Sequence, residues 1–410
     1  MLKNSAFRLL CTNKGKGRKL FVKNIFLVWM LAGAISPGLI NAVGQTVQRN
    51  LETVSRKVIE TEQVIENPEI TLVMVGDILL HDPVAQSGLQ EDGSYNFEAV
   101  FENVKERISA ADLALVNQEV ILGGSELGIT GYPSFNAPYE LGDALVNAGF
   151  DVVLHATNHT LDKGKRGVEN CLAFWKNTYP EIAVLGMNES EEAQEEIYVY
   201  EQDGIRVAIL NYTYGTNGIP LPESMPYAVN MLEENRVIED LKKAEETADF
   251  VIVCPHWGTE YRLNATKEQH YWAEIFEENG ADLVIGTHPH VIEPVEWFGE
   301  EEDMLVFYSL GNFVNWTSGT GEGVTNRMVG GMAEVTIGLD ETGEAVITDY
   351  AMEPLVCHLE EGVDGVTVYF MDDYTEELAE KNEIRKQDAS FSLEYCEKLW
   401  NDVMGAEDVN

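Results

Sequence analysis

Short apolar runs punctuate this chain, and five of them end in residues able to bind a metal. Val73-Met74-Val75 leads into Gly76-Asp77, and the run 113–116 leads into Asn117-Gln118-Glu119. Val152-Val153-Leu154 precedes Thr157-Asn158-His159, with Asp162 following. Val251-Ile252-Val253 precedes His256-Trp257-Gly258, and Leu283-Val284-Ile285 precedes Gly286-Thr287-His288-Pro289-His290. Runs this short, bounded by turn residues, read as buried strands. Between them fall helical patterns. The segment 98–109 carries Val100, Phe101, Val104 and Ile108 on one face, 141–148 stops at Gly149, and 267–279 stops at Gly280. Segments 168–176 and 232–248 are predicted helices too, and 182–185, 206–210 and 305–308 are predicted strands. This alternation predicts an α/β fold with much parallel sheet. Open α/β sheets hold ligands beyond the carboxyl ends of their strands. Five ligand-bearing strand ends therefore predict one sheet edge that collects a two-metal hydrolytic site.

Past Gly330 the texture changes. Segments 332–339 and 345–352 flank Asp340-Glu341-Thr342-Gly343, which predicts an antiparallel hairpin closing the domain. Residues 356–410 read as an acidic C-terminal extension with peripheral helices over 375–386 and 390–404. The predicted globular domain spans 70–355.

The N-terminus has a different pattern. Residues 1–24 hold seven Lys/Arg and no acid, and no charge occurs between Lys23 and Arg49. The mostly apolar segment 25–43 would span roughly 28 Å as a helix, about the thickness of a bilayer core. The basic flank precedes it, so the positive-inside rule places residues 1–24 in the cytoplasm and the body outside. A single-pass signal anchor over 25–43 is expected, with a polar linker over 44–69. A cleaved signal peptide and a secreted body is the alternative.

Beyond that basic segment the chain has 20 basic against 70 acidic residues. Such a body repels phosphate backbones, so nucleic acid is not expected as a partner. Five scattered cysteines show no C-x-x-C spacing, which argues against zinc-ribbon and redox motifs.

Asp77, Glu119, Asn158, His256, His288 and His290 form a donor inventory suited to two divalent ions such as Mn, Zn or Fe. Singly they are weak signals, because an Asp after a strand often caps a turn and a His beside Trp is often core. The His-Pro-His element is the strongest. Six of the eight histidines lie in or beside these motifs (His81, His155, His159, His256, His288, His290).

In order, Gly-Asp, Asn-x-Glu, Asn-His-x-x-Asp-x-Gly, His-Trp-Gly-x-Glu-Tyr, Gly-x-His-Pro-His and Tyr-Ser-Leu-Gly-Asn-Phe resemble the CapA/PgsA family of poly-γ-glutamate capsule biosynthesis. Phe135-Asn136-Ala137-Pro138 and Ala148-Gly149-Phe150-Asp151 extend the resemblance. That family is similar to calcineurin-like metallophosphoesterases, which implies a four-layer α/β/β/α sandwich. The resemblance implies Asp77 on a first metal, Glu119 bridging, Asn158, His256 and His288 on a second, and His290 returning to the first. It implies His159 as general acid near the leaving group, oriented by Asp162, with His81, Asn117, Glu260 and Asn312 around the pocket. Two positions depart from the superfamily pattern. Leu79 stands where a histidine is usual, with His81 a candidate substitute, and Glu119 stands where Asp is usual.

Three functions are open at this point. One is a membrane-anchored extracellular hydrolase acting on a phosphoester or related envelope substrate. The second is a non-catalytic binding component of a poly-γ-glutamate synthesis or export complex. The third is a generic metal-dependent phosphoesterase. Lys163, Lys165 and Arg166 form the basic cluster nearest the His159 loop.

Overall fold

The computed structural model describes residues 68–299, 303–316, 319–321 and 323–405. The expected basic segment 1–24 and span 25–43 lie outside the described residues, as does nearly all of the linker 44–69. Among the described residues no helix is long and apolar enough to cross a membrane.

Among the described residues, fourteen strands form two sheets. In chain order they are β1 (Glu69–Ile78), β2 (Leu113–Asn117), β3 (Val152–Leu154), β4 (Ala183–Leu185), β5 (Tyr198–Gln202), β6 (Ile205–Thr213) and β7 (Phe250–His256). Then follow β8 (Leu283–Ile285), β9 (Val295–Phe298), β10 (Met304–Phe307), β11 (Asn312–Val314), β12 (Val329–Leu339), β13 (Ala345–Leu359) and β14 (Val366–Phe370). The first sheet runs β14-β13-β12-β1-β2-β3-β4, with β11 also on β1; the second runs β5-β6-β7-β8-β10-β9. Strands β1 to β4 are mutually parallel, as are β6, β7, β8 and β10. Antiparallel strands flank both parallel blocks, so the sheets are mixed.

The apolar runs are continuous because these strands are buried on both faces. Leu72 and Met74 of β1 join Leu113 of β2, Val207 and Ile209 of β6, Ile252 of β7 and Leu283 of β8 in one core, which seals the sheets face to face. Val73 and Val75 point the other way, onto the helices that include Tyr139–Ala148 and Gly164–Thr178. Val251 and Val253 likewise meet the helices Glu234–Thr247 and Lys267–Glu278 on the outer face of the second sheet. Side chains alternating with period two thus bind each strand to two different layers.

Three expectations need correction. The five ligand-bearing runs do not share one sheet: β1, β2 and β3 belong to the first, β7 and β8 to the second. The predicted helix 98–109 is two short ones, Glu98–Phe101 and Lys105–Ala110, although Val100, Phe101, Val104 and Ile108 are all buried as expected. The boundary expected after residue 355 falls inside β13. Residues beyond it are not peripheral, because Val356, Val368, Met371, Tyr374, Phe391, Cys396 and Leu399 are buried in the core beneath the first sheet's helices. Net acidity on the solvent face hid an amphipathic pattern there.

Candidate metal centre

In a parallel strand block all carboxyl ends emerge at one edge, and here two such edges face each other. Asp77 leaves β1, Asn117 and Glu119 leave β2, and Asn158 follows β3; His256 ends β7, and His288 and His290 follow β8. Close backbone approach makes this possible. A Cβ on Gly76 would lie 2.0 Å from the Gly311 carbonyl oxygen, and one on Gly286 would lie 2.2 Å from that of Tyr308. Only glycine fits beside each ligand-bearing turn.

Two donor groups result. Glu119, His256 and His288 offer ligand atoms within 4.8 Å of one another, and so do Asp77, Glu119 and His290. All are buried, and Glu119 is common to both groups. Its Oε1 lies 3.8 Å from His256 Nε2 and 3.7 Å from His290 Nε2. Asn158 adds an oxygen 3.0 Å from His256 Nε2.

The surrounding contacts hold these atoms in place. Asn117 Nδ2 donates to Asp77 Oδ1 at 2.7 Å, and the His288 amide donates to Asp77 Oδ2 at 3.2 Å. Thr287 Oγ1 sits 3.0 Å from His256 Nδ1. The His-Pro-His turn adopts positive φ at both histidines, 100° and 60°, a conformation that costs about 1–3 kcal/mol per residue and persists only where the surroundings impose it.

The electrostatics fit a cation. Both Glu119 oxygens, Asn117 Oδ1 and His288 Nδ1 are buried with no hydrogen-bond partner. Burial, then the nearby charges of Asp77, Glu260 and Asp162, push the Glu119 carboxyl well above its ordinary value. Burial and the neighbouring imidazoles hold His256 and His288 well below theirs, so both are neutral with a lone pair to give. Orphaned acceptors and neutral imidazoles together are what a divalent ion bound by nitrogen and oxygen requires.

Beside the donors, His159 Nδ1 lies 2.7 Å from Asp162 Oδ2, and its Nε2 lies 4.0 Å from Glu119 Oε1. Asp162 also accepts the Phe135 amide at 2.7 Å. A cavity of about 240 Å³ opens here, lined by residues including His81, His159, Glu260, His290 and Asn312. His81 packs edge-on to Phe135, lines the cavity and is outside both donor groups. Burial pushes its imidazole down to about 4, helped by His290, His159 and Arg327. His155 turns into the core, accepting from Trp175 Nε1 at 3.1 Å.

Several residues at the site carried no expectation. Arg327 lies over the Tyr261 ring at 3.6 Å and lines the cavity. Lys163 and Lys165 instead reach Ser134 and Ser224 and are not among the cavity's lining residues. Tyr214 packs 4.6 Å from the His288 ring, and Asn217 links Asn158 and His159. The loop 214–217 follows β6, another carboxyl end of the second sheet, so its position was available from the strand pattern. Arg327 lies in the short 3-10 turn Val324–Met328 and has no such signal.

Residues 71–317 match the family described as "Bacterial capsule synthesis protein PGA_cap". The capsule biosynthesis protein CapA of Bacillus anthracis is 28% identical over 264 residues, which cover 62% of this chain and 62% of that protein. The PGA biosynthesis protein CapA of Bacillus subtilis is 32% identical over 177 residues, covering 42% of this chain and 45% of the relative. In both cases the match spans less than two thirds of the relative's length. Among solved structures, a putative 5'-nucleotidase from Staphylococcus aureus aligns at 16% identity and a TM-score of 0.44, over 70% of this chain and 54% of that one. A hypothetical protein from Thermus thermophilus aligns at 17% and 0.41, over 70% and 98%.

Proposed function

The chain belongs to the bacterial capsule synthesis (PGA_cap) family, and on that premise we propose that it serves poly-γ-glutamate capsule biosynthesis as a metal-dependent hydrolase of phosphoester-like envelope substrates. The observation that carries this reading is Glu119, a buried carboxylate with two unpaired oxygens shared between two donor groups. In this reading the two-sheet sandwich is of metallophosphoesterase type. Asp77, Glu119 and His290 would hold one ion, and Glu119, Asn158, His256 and His288 the other. Bound there, such ions would acidify a water and neutralise charge on a phosphoryl oxygen.

The chain's own groups do the rest. Asp162 at 2.7 Å fixes the His159 ring through Nδ1, which leaves Nε2 to hand a proton to a departing oxygen. Phe135 packs edge-on against that ring at 4.7 Å, and Asn217 Nδ2 sits 3.4 Å from the same Nδ1. Arg327, stacked on Tyr261, supplies a positive group for an anionic substrate in an otherwise acidic site. Phe135 and Trp316 give the cavity its apolar lining.

The basic segment followed by an apolar one supports an anchored body on the outer side of the cell membrane, near other polymer synthesis or export proteins. Protease digestion of intact cells checks the topology: the body is expected to be cleaved while residues 1–24 survive.

The activity test is divalent metal content followed by phosphodiester hydrolysis with added Mn. Wild type is expected to carry metal that His288→Ala loses. His159→Ala is expected to keep its metal and lose about 10²–10⁴-fold in rate. If wild type and His159→Ala are equally inert while capsule formation still needs the protein, the non-catalytic binding role replaces this one.

A further inference from the structure

The two donor groups are unequal. The group around His256 has four donors once Asn158 is counted. The group around Asp77 has three, one of them shared, and the nearby Leu79 contributes only carbon. Ions of this class take at least four ligands.

A candidate for the fourth comes from the neighbouring strand. β11 runs parallel to β1 with Asn312 as the backbone partner of Asp77, at a register shift between Asp77 and Ile78. The Asp77 amide donates to the Gly311 carbonyl at 3.0 Å, which ties the strands together at that point. Asn312 is buried, and its Nδ2 donates to two backbone carbonyls, His290 at 3.1 Å and Arg327 at 3.0 Å. Both amide hydrogens are thereby committed. The flipped amide would set its oxygen against those two carbonyl oxygens, so the network assigns the orientation. Asn312 Oδ1 is left 3.1 Å from His290 Nδ1, which lies 3.1 Å from Asp77 Oδ2. One imidazole hydrogen is therefore placed between two oxygen acceptors. A cation in place of that proton would meet one nitrogen and two oxygens.

We infer that Asn312 Oδ1 is a direct ligand of the metal position formed by Asp77, Glu119 and His290, completing it from the adjacent strand. The inference rests on the metal-centre reading above. It makes this position rich in oxygen, with His290 as its single imidazole, whereas the other position has two histidines.

The test is Mn binding to the full-length protein, followed by titration calorimetry and by electron paramagnetic resonance of coupled Mn pairs. Wild type is expected to bind two ions per chain with a coupled signal. Asn312→Leu is expected to lose the coupled signal and at least 10-fold in affinity for one ion, the lower bound set by what removal of an outer partner costs. Asn312→Asp keeps an oxygen at the ligand position but sets its second oxygen against the His290 and Arg327 carbonyls, so it is expected to melt lower than wild type without metal and still to bind that same ion more tightly than Asn312→Leu. Melting without metal shows that each variant is folded. If Asn312 merely clamps the His290 loop, Asp weakens binding at least as much as Leu, and the inference is overturned. It is also overturned if both variants bind two ions as wild type does. If wild type itself binds no Mn, the metal-centre reading fails and this inference goes with it; a single ion lost in His288→Ala but kept in Asn312→Leu defeats this inference alone.

Discussion

Glu119 is a carboxylate buried among acids, with neither oxygen hydrogen-bonded. An unsatisfied buried polar group costs about 1–3 kcal/mol, more when charged. Glu119→Gln removes a charge buried against Asp77, Glu260 and Asp162, so it is expected to melt no lower than wild type without metal and to lose the stabilisation that added Mn gives wild type. Melting curves in chelator and in Mn check both halves. Glu293 gives a pH prediction away from the donors. It is fully buried, held by Gln269 Nε2, and burial raises its carboxyl from 4.5 to about 8. Between those values the folded protein holds a proton that the unfolded chain has released, so this group lowers stability as pH rises from about 4.5 to about 8. Glu293→Gln keeps an acceptor for Gln269 and removes the titration. Its melting temperature is expected to gain on wild type more at pH 8 than at pH 5.

At the scale of elements, the strand ends do the positioning, and their glycines set how closely the backbones approach. Gly76→Ala would place a methyl 2.0 Å from the Gly311 carbonyl oxygen, and overpacking of this kind costs about 1–3 kcal/mol. Urea denaturation should show that loss. Metal affinity should fall with it, because the same shift moves Asp77 away from Asn312. Predicted strands and helices were mostly found close to their expected bounds, as with the predicted helix 267–279 against Lys267–Glu278. That helix has a local signal, the Thr266/Gln269 capping box. The segment 98–109 was legible as an apolar face but not as two helices, since the break between them changes no side-chain periodicity. The hairpin was legible at its turn. Its strands run longer than expected, to Leu359 in β13, because β14 pairs with Leu355–Leu359 beyond the alternating segment.

For the whole molecule, the C-terminal residues decide whether the domain can fold. A chain ending at residue 355 would cut β13, delete β14 and expose core residues packed by Val356, Tyr374, Phe391 and Cys396. It is expected to be insoluble or molten, which expression yield and near-UV circular dichroism would show, whereas a chain ending at 405 keeps every one of those contacts.

The order of ligands along the chain was legible because each follows an apolar run, and a buried strand needs such a run whatever it packs against. Family membership followed from that order. What the chain could not show locally is which strands share a sheet. The pattern of β1 and of β7 is the same, since each is apolar on both faces, yet one lies in each sheet and their ligands meet across the gap. Register between distant strands likewise brought Asn312 beside Asp77, and loop closure brought Arg327 over Tyr261. Periodicity encodes which faces of a strand are buried, but not the partner that buries them. That partner is chosen by packing over the whole sandwich, and the donor groups exist only once both sheets are in place.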